Sequence, residues 1–217
     1  MNNNKTIYSF LGLPGSGKGT QAELFMKEVG ADKFISVGTL IREYIALNED
    51  SDYARAVKSR YDSGTPQPDD VAIKLLGDYL RQTKGSIILD NFPFGAGQAE
   101  FLLNFIKENP EWSGPVVIYI KISSETAISR ISGRKSCLKC GSTFDGSIGE
   151  FCTKCGSILE TRADDKPDIV RKRLSFYVPK VDEVINYMKQ KNTEIYEIDG
   201  EQSVKEIANK LALIAHE

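Results

Sequence analysis

A glycine-rich segment near the N-terminus constrains the fold more than any other feature of this sequence. Residues 12–20 read GLPGSGKGT, which matches the pattern GxxxxGK, with glycine and then threonine where one hydroxyl residue is usual. A β-branched and aromatic run at 6–11 precedes it, and helical spacing begins after Lys18. Glycines allow such a loop to curl so that its backbone N–H groups point inward beside a helix N-terminus. The sequence therefore predicts a strand, a phosphate-binding loop and a helix.

The loop is expected to bind phosphate through its backbone and through one lysine. Lys18 follows the last glycine of the pattern, where its ammonium group can bridge the β- and γ-phosphates of a nucleotide. An ordinary glycine turn is the alternative, and the complete motif between a strand and a helix favours phosphate binding. GTPases, ATPases and kinases share such a loop, so it does not select among them.

Strand and helix patterns alternate along most of the chain. Near-continuous apolar runs at 86–90 and 115–122 predict strands that are covered on both faces, as in a parallel sheet. Apolar residues at 195–198 predict a last strand, and a capping-box pattern at 203–206 predicts a final helix that runs through Ile214. This alternation predicts an α/β fold with a doubly wound sheet and right-handed crossovers.

Two stretches interrupt the alternation. Residues from about 36 to 67 indicate helices without an intervening strand, and 133–167 form a glycine- and cysteine-rich excursion without helical spacing. Both are expected to be inserts at the ligand-binding edge of the sheet. Helical spacing at 168–190 contains Pro179, which should kink that helix because proline lacks a backbone N–H donor.

The cysteines predict a metal site. They form two CxxC pairs, Cys137 with Cys140 and Cys152 with Cys155, and each pair is followed by glycine. Four thiolates at this spacing suit tetrahedral Zn²⁺ and leave no open position for water, so the zinc is expected to be structural. It would tether a segment that has too little core to fold alone. Disulfides and an iron centre are the alternatives; a cytoplasmic setting disfavours the former, and the spacing is less typical of iron clusters.

Composition and charge disfavour several functional classes. Of the 217 residues, 41% are hydrophobic and 27% are charged, as in ordinary globular proteins. The net charge of −2 lacks the basic excess expected of nucleic-acid binding. The N-terminal residues show no cleavage site and no apolar span of about 20 residues, so we expect a cytoplasmic protein without a membrane segment. The only histidine, His216, lies near the end of the chain, which argues against a histidine base.

Five segments together resemble adenylate kinases of the long, bacterial type. Their order and spacing over residues 7–211 are far more specific than any one of them. The segments are GLPGSGKGTQ at 12–21, ISVGTLIR at 35–42, DNFPF at 90–94, RISGR at 130–134 and RADDKPDIVRKRL at 162–174.

The resemblance implies an α/β, P-loop NTPase-like fold. Its parallel five-stranded sheet would be flanked by helices and would carry two mobile inserts. One is a helical insert that binds the nucleoside monophosphate (NMP), and the other is a zinc-ribbon lid. The implied boundaries are 1–35, 68–129 and 168–217 for the core, 36–67 for the NMP-binding insert and 130–167 for the lid.

The resemblance also implies phosphoryl transfer from ATP, with its Mg²⁺, to an NMP by a monomer, as in ATP + AMP = 2 ADP. The residues expected to bind ATP are Gly12, Pro14, Gly15, Ser16, Gly17, Lys18, Gly19, Thr20, Arg130 and Arg134. The cations expected around the transferring phosphoryl group are Lys18, Arg130, Arg134, Arg162 and Arg173. Such cations suit a transition state whose charge is spread over equatorial oxygens, so no side-chain base is required. Asp164 and Asp165 resemble lid carboxylates that hold the arginines, and Asp90 resembles the group that orients Mg²⁺ through water.

The acceptor side departs from the family pattern. Asn91 replaces the second glycine, Phe94 replaces an arginine that grips the acceptor phosphate, and Val37 replaces a threonine near the adenine. The residues expected at the NMP site are Val37, Gly38, Arg42, Asn91, Phe94, Gln98, Arg162 and Arg173, with Arg42 as a phosphate contact and Gln98 as a base contact. Phe94 could stack on a base or close an apolar pocket. A kinase for another NMP and a catalytically impaired nucleotide-binding protein are therefore alternatives to an adenylate kinase.

Overall fold

A five-stranded parallel sheet forms the centre of the computed structural model, which describes residues 5–62, 67–137, 139, 142–144, 146, 148–161 and 165–216. In chain order its strands are β1 (Lys5–Leu11), β2 (Lys33–Ser36), β3 (Ile87–Asp90), β4 (Trp112–Lys121) and β8 (Ile195–Asp199). The spatial order is β2-β3-β1-β4-β8, and every neighbouring pair is parallel. The predicted α/β fold and its five-stranded parallel sheet are thereby confirmed.

Eight helices accompany the sheet in the described part of the chain. They are α1 (Lys18–Glu28), α2 (Val37–Leu47), α3 (Asp52–Asp62), α4 (Asp69–Gln82), α5 (Ala96–Glu108), α6 (Ser124–Ser132), α7 (Pro167–Gln190) and α8 (Val204–Ile214). The capping box predicted at Ser203 and Glu206 is present at the start of α8. Pro179 lies inside α7, and the kink stays a prediction. None of the helices described here is long and apolar enough to cross a bilayer.

The two faces of the sheet support two separate apolar clusters. Strand side chains alternate between faces, and β3 divides accordingly: Ile87 and Leu89 pack in one cluster, whereas Ile88 packs in the other. The first cluster includes apolar residues of α4, α5 and α7, and the second includes residues of α1 and α8. Helices therefore cover both faces of the sheet, which explains why its strands read as continuous apolar runs.

The two interruptions in the alternating pattern have different structures. Residues 37–62 contain α2 and α3 with no strand between them, as predicted. The cysteine-rich stretch contains a separate antiparallel sheet of β5 (Lys135–Cys137), β6 (Thr143–Phe144) and β7 (Leu159–Glu160), in the order β6-β5-β7. No sequence pattern predicted these strands, because two or three residues are too few to show a period.

The turn from β1 into α1 depends on a close approach between two backbones. Gly12 follows β1 with a φ of 148°, and a Cβ placed on it would lie 2.4 Å from the carbonyl oxygen of Ile120 in β4. Only glycine fits this position without displacing β4. Gly19, in the first turn of α1, differs in that a Cβ there would meet no atom within 4 Å.

We expect Gly12→Ala to destabilise the fold by about 2–3 kcal/mol, because the new methyl group collides with backbone and the φ is unfavourable. The matched variant Gly19→Ala should be neutral or stabilising by up to about 1 kcal/mol, since alanine favours a helix. Urea unfolding of both variants measures the difference. Equal free energies of unfolding would contradict the close approach at Gly12.

Candidate active site

The segment between β1 and α1 forms the predicted phosphate-binding loop. Gly17, with a φ of 86°, caps α1, and Lys18 is the first residue of the helix. A Cβ on Gly15 would lie 3.1 Å from the carbonyl oxygen of Ala127, so α6 packs closely against the loop. The hydroxyl oxygen of Ser16 is buried and has no hydrogen-bond partner among the described residues. The loop thus combines a helix N-terminus with an unsatisfied polar group, as suits a site for an anionic ligand.

Lys18 is a buried cation. The residue is only 9% exposed, and its Nζ atom donates to the carbonyl oxygens of Gly12 at 2.8 Å and Leu13 at 3.0 Å. Burial lowers the pKa of Lys18 to about 8; the negative charge of Asp90 partly offsets this effect, and the positive charge of Arg173 adds to it. Lys18 is thus electrostatically coupled to Asp90 and Arg173, which come from two other parts of the chain.

Asp90 ends β3 and faces the same centre. Its pKa is raised by burial, and the charge of Lys18 acts in the opposite direction. Tyr177 on α7 also belongs here: burial raises the pKa of its hydroxyl, Arg173 lowers it and Asp90 raises it. Sequence reasoning missed Tyr177, although its position one helical turn after Arg173 places both residues on one face of α7.

A buried ion pair lies at the base of the cysteine-rich segment. Arg134 donates to both carboxylate oxygens of Asp165, from Nε at 2.6 Å and from Nη2 at 2.7 Å. The Asp165 side chain is fully buried, and this two-point geometry fixes the plane of the guanidinium group. Arg130 lies in the last turn of α6, whereas Arg162 and Asp164 lie outside the described residues.

Arg42 lies on the predicted acceptor side, and neutral groups hold it in place. It donates to the hydroxyl groups of Tyr61 on α3 and Thr39 on α2, each at 3.0 Å. Val37 and Gly38 form the first turn of α2, which Ser36 caps by accepting a hydrogen bond from the backbone N–H of Thr39. Because both partners of Arg42 are uncharged, its positive charge stays available to an anion. Nothing in the sequence pattern indicated the contact with Tyr61.

The departures from the family pattern at Asn91 and Phe94 have a structural account. Asn91 has a φ of 52°, in the left-handed region that favours glycine and that asparagine tolerates better than most residues. The Phe94 ring lies 4.7 Å from the ring of Tyr177 between centroids, at an angle of 55°. Such aromatic pairs contribute about 0.5–1.5 kcal/mol beyond burial, so Phe94 is held against α7.

Gln98 lies in the first turn of α5 and has a partner at each end of its amide. Its Oε1 atom accepts from the backbone N–H of Phe94 at 2.9 Å, and its Nε2 atom donates to Oδ1 of Asp69 at 2.6 Å. Gln98 as a whole is 5% exposed. The sequence indicated Gln98 but not Asp69. Residues 69 and 70 are both aspartates, and no sequence pattern tells which of them contacts Gln98.

Three of the four predicted zinc ligands lie together. The sulfur atoms of Cys137, Cys152 and Cys155 are all within 4.8 Å of one another, and those of Cys137 and Cys155 are 3.4 Å apart. None of the three forms a disulfide within the described chain, and Cys140 lies outside the described residues. Tetrahedral zinc with sulfur at about 2.3 Å needs sulfur separations of roughly 3.8 Å, so the described thiols fit this metal.

The surroundings of the cysteines also suit a metal centre. Hydrogen bonds with the hydroxyl and the backbone N–H of Ser157, and with Cys137, lower the pKa of the Cys155 thiol. The local apolar cluster contains few buried groups besides the cysteines, namely Leu159 with partly buried Phe144 and Ile148. So small a cluster provides little folding free energy without a ligand.

Comparison with known proteins agrees with this geometry. The family model described as adenylate kinase matches residues 10–193. Relatives named adenylate kinase are 35% identical: one from Fervidobacterium nodosum over 206 residues (91% of this chain, 92% of the relative), and one from Elusimicrobium minutum over 212 residues (95% and 96%). A third, from a Thermoanaerobacter strain, is 35% identical over 204 residues, or 91% of this chain and 92% of the relative. This chain therefore belongs to the adenylate kinase family.

Proposed function

We propose that this protein transfers the γ-phosphoryl group of ATP to AMP and forms two molecules of ADP. The observation that carries the proposal is the buried ammonium group of Lys18, which two loop carbonyls hold where the phosphate loop enters α1. The charges of Asp90 and Arg173 act on this group. This concentration of charge lies in a chain whose relatives are named adenylate kinase. Alternative acceptors have no comparable support.

The donor phosphates would bind in the loop from Gly12 to Thr20. Its backbone N–H groups and the N-terminus of α1 would face the phosphates. Lys18 would exchange its two carbonyl partners for phosphate oxygens, which are better partners for an ammonium group. Arg130 and Arg134 would complete the ATP site from the lid side.

The chemical step would depend on positioning and on electrostatic stabilisation. Charge that develops on the transferring group would meet Lys18, Arg173 and the lid arginines Arg130, Arg134 and Arg162. Asp165 positions Arg134 through two hydrogen bonds, and we assign a similar supporting role to Asp164. Asp90 is a partly buried carboxylate that is electrostatically coupled to Lys18, and it fits the role of orienting Mg²⁺ through water. That ion would neutralise part of the charge on the ATP phosphates.

The acceptor would bind on the opposite side of the loop. Arg42 and Arg173 would contact its phosphate, and Gln98 would contact its base. Val37, Gly38, Asn91 and Phe94 would form the remaining wall of the NMP site. In this proposal the Phe94 ring packs against Tyr177 and shapes the pocket. The positive charges that bind the acceptor phosphate are then those of Arg42 on α2 and Arg173 on α7.

We further propose the division into a core, an NMP-binding insert at 36–67 and a lid at 130–167. Zinc held by Cys137, Cys140, Cys152 and Cys155 would fold the lid and take no part in the chemistry. The monomeric state and the cytoplasmic location stay predictions.

An assay of ATP consumption with AMP, GMP, CMP, UMP and dTMP tests the proposed function. We expect turnover with AMP to exceed that with the other acceptors. Lys18→Ala should lower the turnover with AMP by more than about 10³-fold, because it removes the buried cation that faces the phosphates. Circular dichroism of the variant checks that the fold is retained. If the wild-type protein consumed ATP with none of the five acceptors, the proposed phosphoryl transfer activity would be refuted.

The pKa of Lys18 predicts how activity depends on pH. Since this pKa is lowered to about 8, the ammonium group loses its proton in the free protein as the pH rises through that value. We expect kcat/KM for ATP to fall about tenfold per pH unit above pH 8, because kcat/KM reports the free enzyme. Lys18→Arg should be slower but flat up to about pH 10, since guanidinium stays charged. An identical decline in Lys18→Arg would assign the titration to another group.

Removal of zinc should destabilise the protein. We expect about one zinc ion per purified chain by elemental analysis. If zinc is about 100-fold above its Kd, its removal costs about 2.7 kcal/mol and lowers Tm by roughly 5–11 °C. Cys155→Ser should show the lower Tm before any treatment and respond little to a chelator. A wild-type protein that contains no zinc and keeps its Tm in a chelator would contradict the structural role.

A further inference from the structure

The amide of Gln98 is held in one orientation. A glutamine amide has nearly the same shape when its oxygen and nitrogen are exchanged, so hydrogen-bond partners decide its orientation. The backbone N–H of Phe94 can only donate, and it contacts the oxygen at 2.9 Å. The Asp69 carboxylate can only accept, and it contacts the nitrogen at 2.6 Å. The exchanged orientation would set donor against donor and acceptor against acceptor.

Each amide atom of Gln98 still has one hydrogen-bonding position to offer. Nε2 carries two hydrogens and uses one on Asp69, and Oε1 has two lone pairs and uses one on Phe94. A ligand that reaches this side chain therefore meets one donor next to one acceptor, in a fixed order. The 6-amino purine edge presents an acceptor at N1 and a donor at the amino group, whereas the 6-oxo edge reverses both.

The place of Asp69 follows from the packing of α4 against α5. Asp69 is the first residue of α4, and α5 begins without a side-chain cap. A Cβ on Gly97 would lie 3.3 Å from the second carboxylate oxygen of Asp69, so glycine at 97 leaves room for the carboxylate beside the N-terminus of α5. The partial positive charge of that terminus favours a carboxylate there.

We propose that Asp69 is a positioning residue that determines which base the acceptor site takes. By fixing the Gln98 amide, it selects a 6-amino purine monophosphate over a 6-oxo purine monophosphate. The inference rests on the proposed function, in which Gln98 contacts the acceptor base. It adds that specificity depends on an exposed carboxylate at the start of α4.

The test compares kcat/KM for AMP and for IMP, which differ in the order of donor and acceptor on this edge. The wild-type protein should prefer AMP by roughly 10²-fold or more. In Asp69→Ala only the backbone N–H of Phe94 still orients the amide, so the exchanged orientation becomes more populated. We expect the AMP/IMP ratio to fall about tenfold. The ratio separates this role from a structural one, because a general loss of stability lowers both activities together.

Two further variants sharpen the test. Glu183→Ala is the matched control, since Glu183 on α7 also contacts the start of α5, where its carboxylate accepts from the backbone N–H of Ala96 at 3.0 Å. Among the described residues no hydrogen bond joins Glu183 to Gln98. It should keep the wild-type ratio. Asp69→Ser keeps a polar side chain at the first residue of α4 but is too short to reach Gln98, so it should repeat the loss even if Asp69→Ala folds poorly.

The outcomes separate the inference from the function on which it rests. An unchanged AMP/IMP ratio in Asp69→Ala or Asp69→Ser, with wild-type preference for AMP intact, overturns the role of Asp69 alone. A wild-type protein that uses AMP and IMP equally also overturns it and leaves phosphoryl transfer standing. No turnover with any nucleoside monophosphate overturns the proposed function, and the inference with it.

Discussion

The buried ammonium group of Lys18 is the interaction on which the site depends. Burying a cation costs free energy, and the lowered pKa of Lys18 reflects that cost. Two loop carbonyls and the nearby charge of Asp90 offset part of it. One of these carbonyls belongs to Gly12, whose lack of a side chain lets the loop lie against the backbone of β4. The same close approach thus builds the loop and holds its cation ready for phosphate.

The charges around this lysine are supplied by elements that are far apart in the chain. Asp90 ends β3, and Arg173 and Tyr177 lie on one face of α7. The parallel sheet brings them together, because β1 and β3 are hydrogen-bonded neighbours whose carboxyl ends share an edge. On the acceptor side, Phe94 packs against Tyr177, so an aromatic contact fills the position at which the family resemblance predicts an arginine.

Local patterns predicted much of the fold and only part of the site. The strands at 6–11, 86–90, 115–122 and 195–198 were visible because two-sided burial makes them apolar throughout. The edge strand β2 was not visible in the sequence, because only Ile35 among its four residues is buried. Contacts such as Tyr61 with Arg42, or Asp69 with Gln98, join separate helices, and nothing in a sequence distinguishes Asp69 from Asp70. Such pairings depend on how helices pack, which residue patterns do not record.

The groups proposed to recognise the acceptor base lie on helices. Asp69 and Gln98 lie in the first turns of α4 and α5, and both helices are anchored in the core by buried leucines such as Leu76 and Leu102. Glu183 ties α7 to the same turn of α5. A donor and an acceptor held by helices vary less in position than the same groups on a loop, and hydrogen-bond discrimination depends on that constancy. In the proposed enzyme, Gln98 on α5, oriented by Asp69 on α4, would therefore select the base without any contribution from the insert at 36–67.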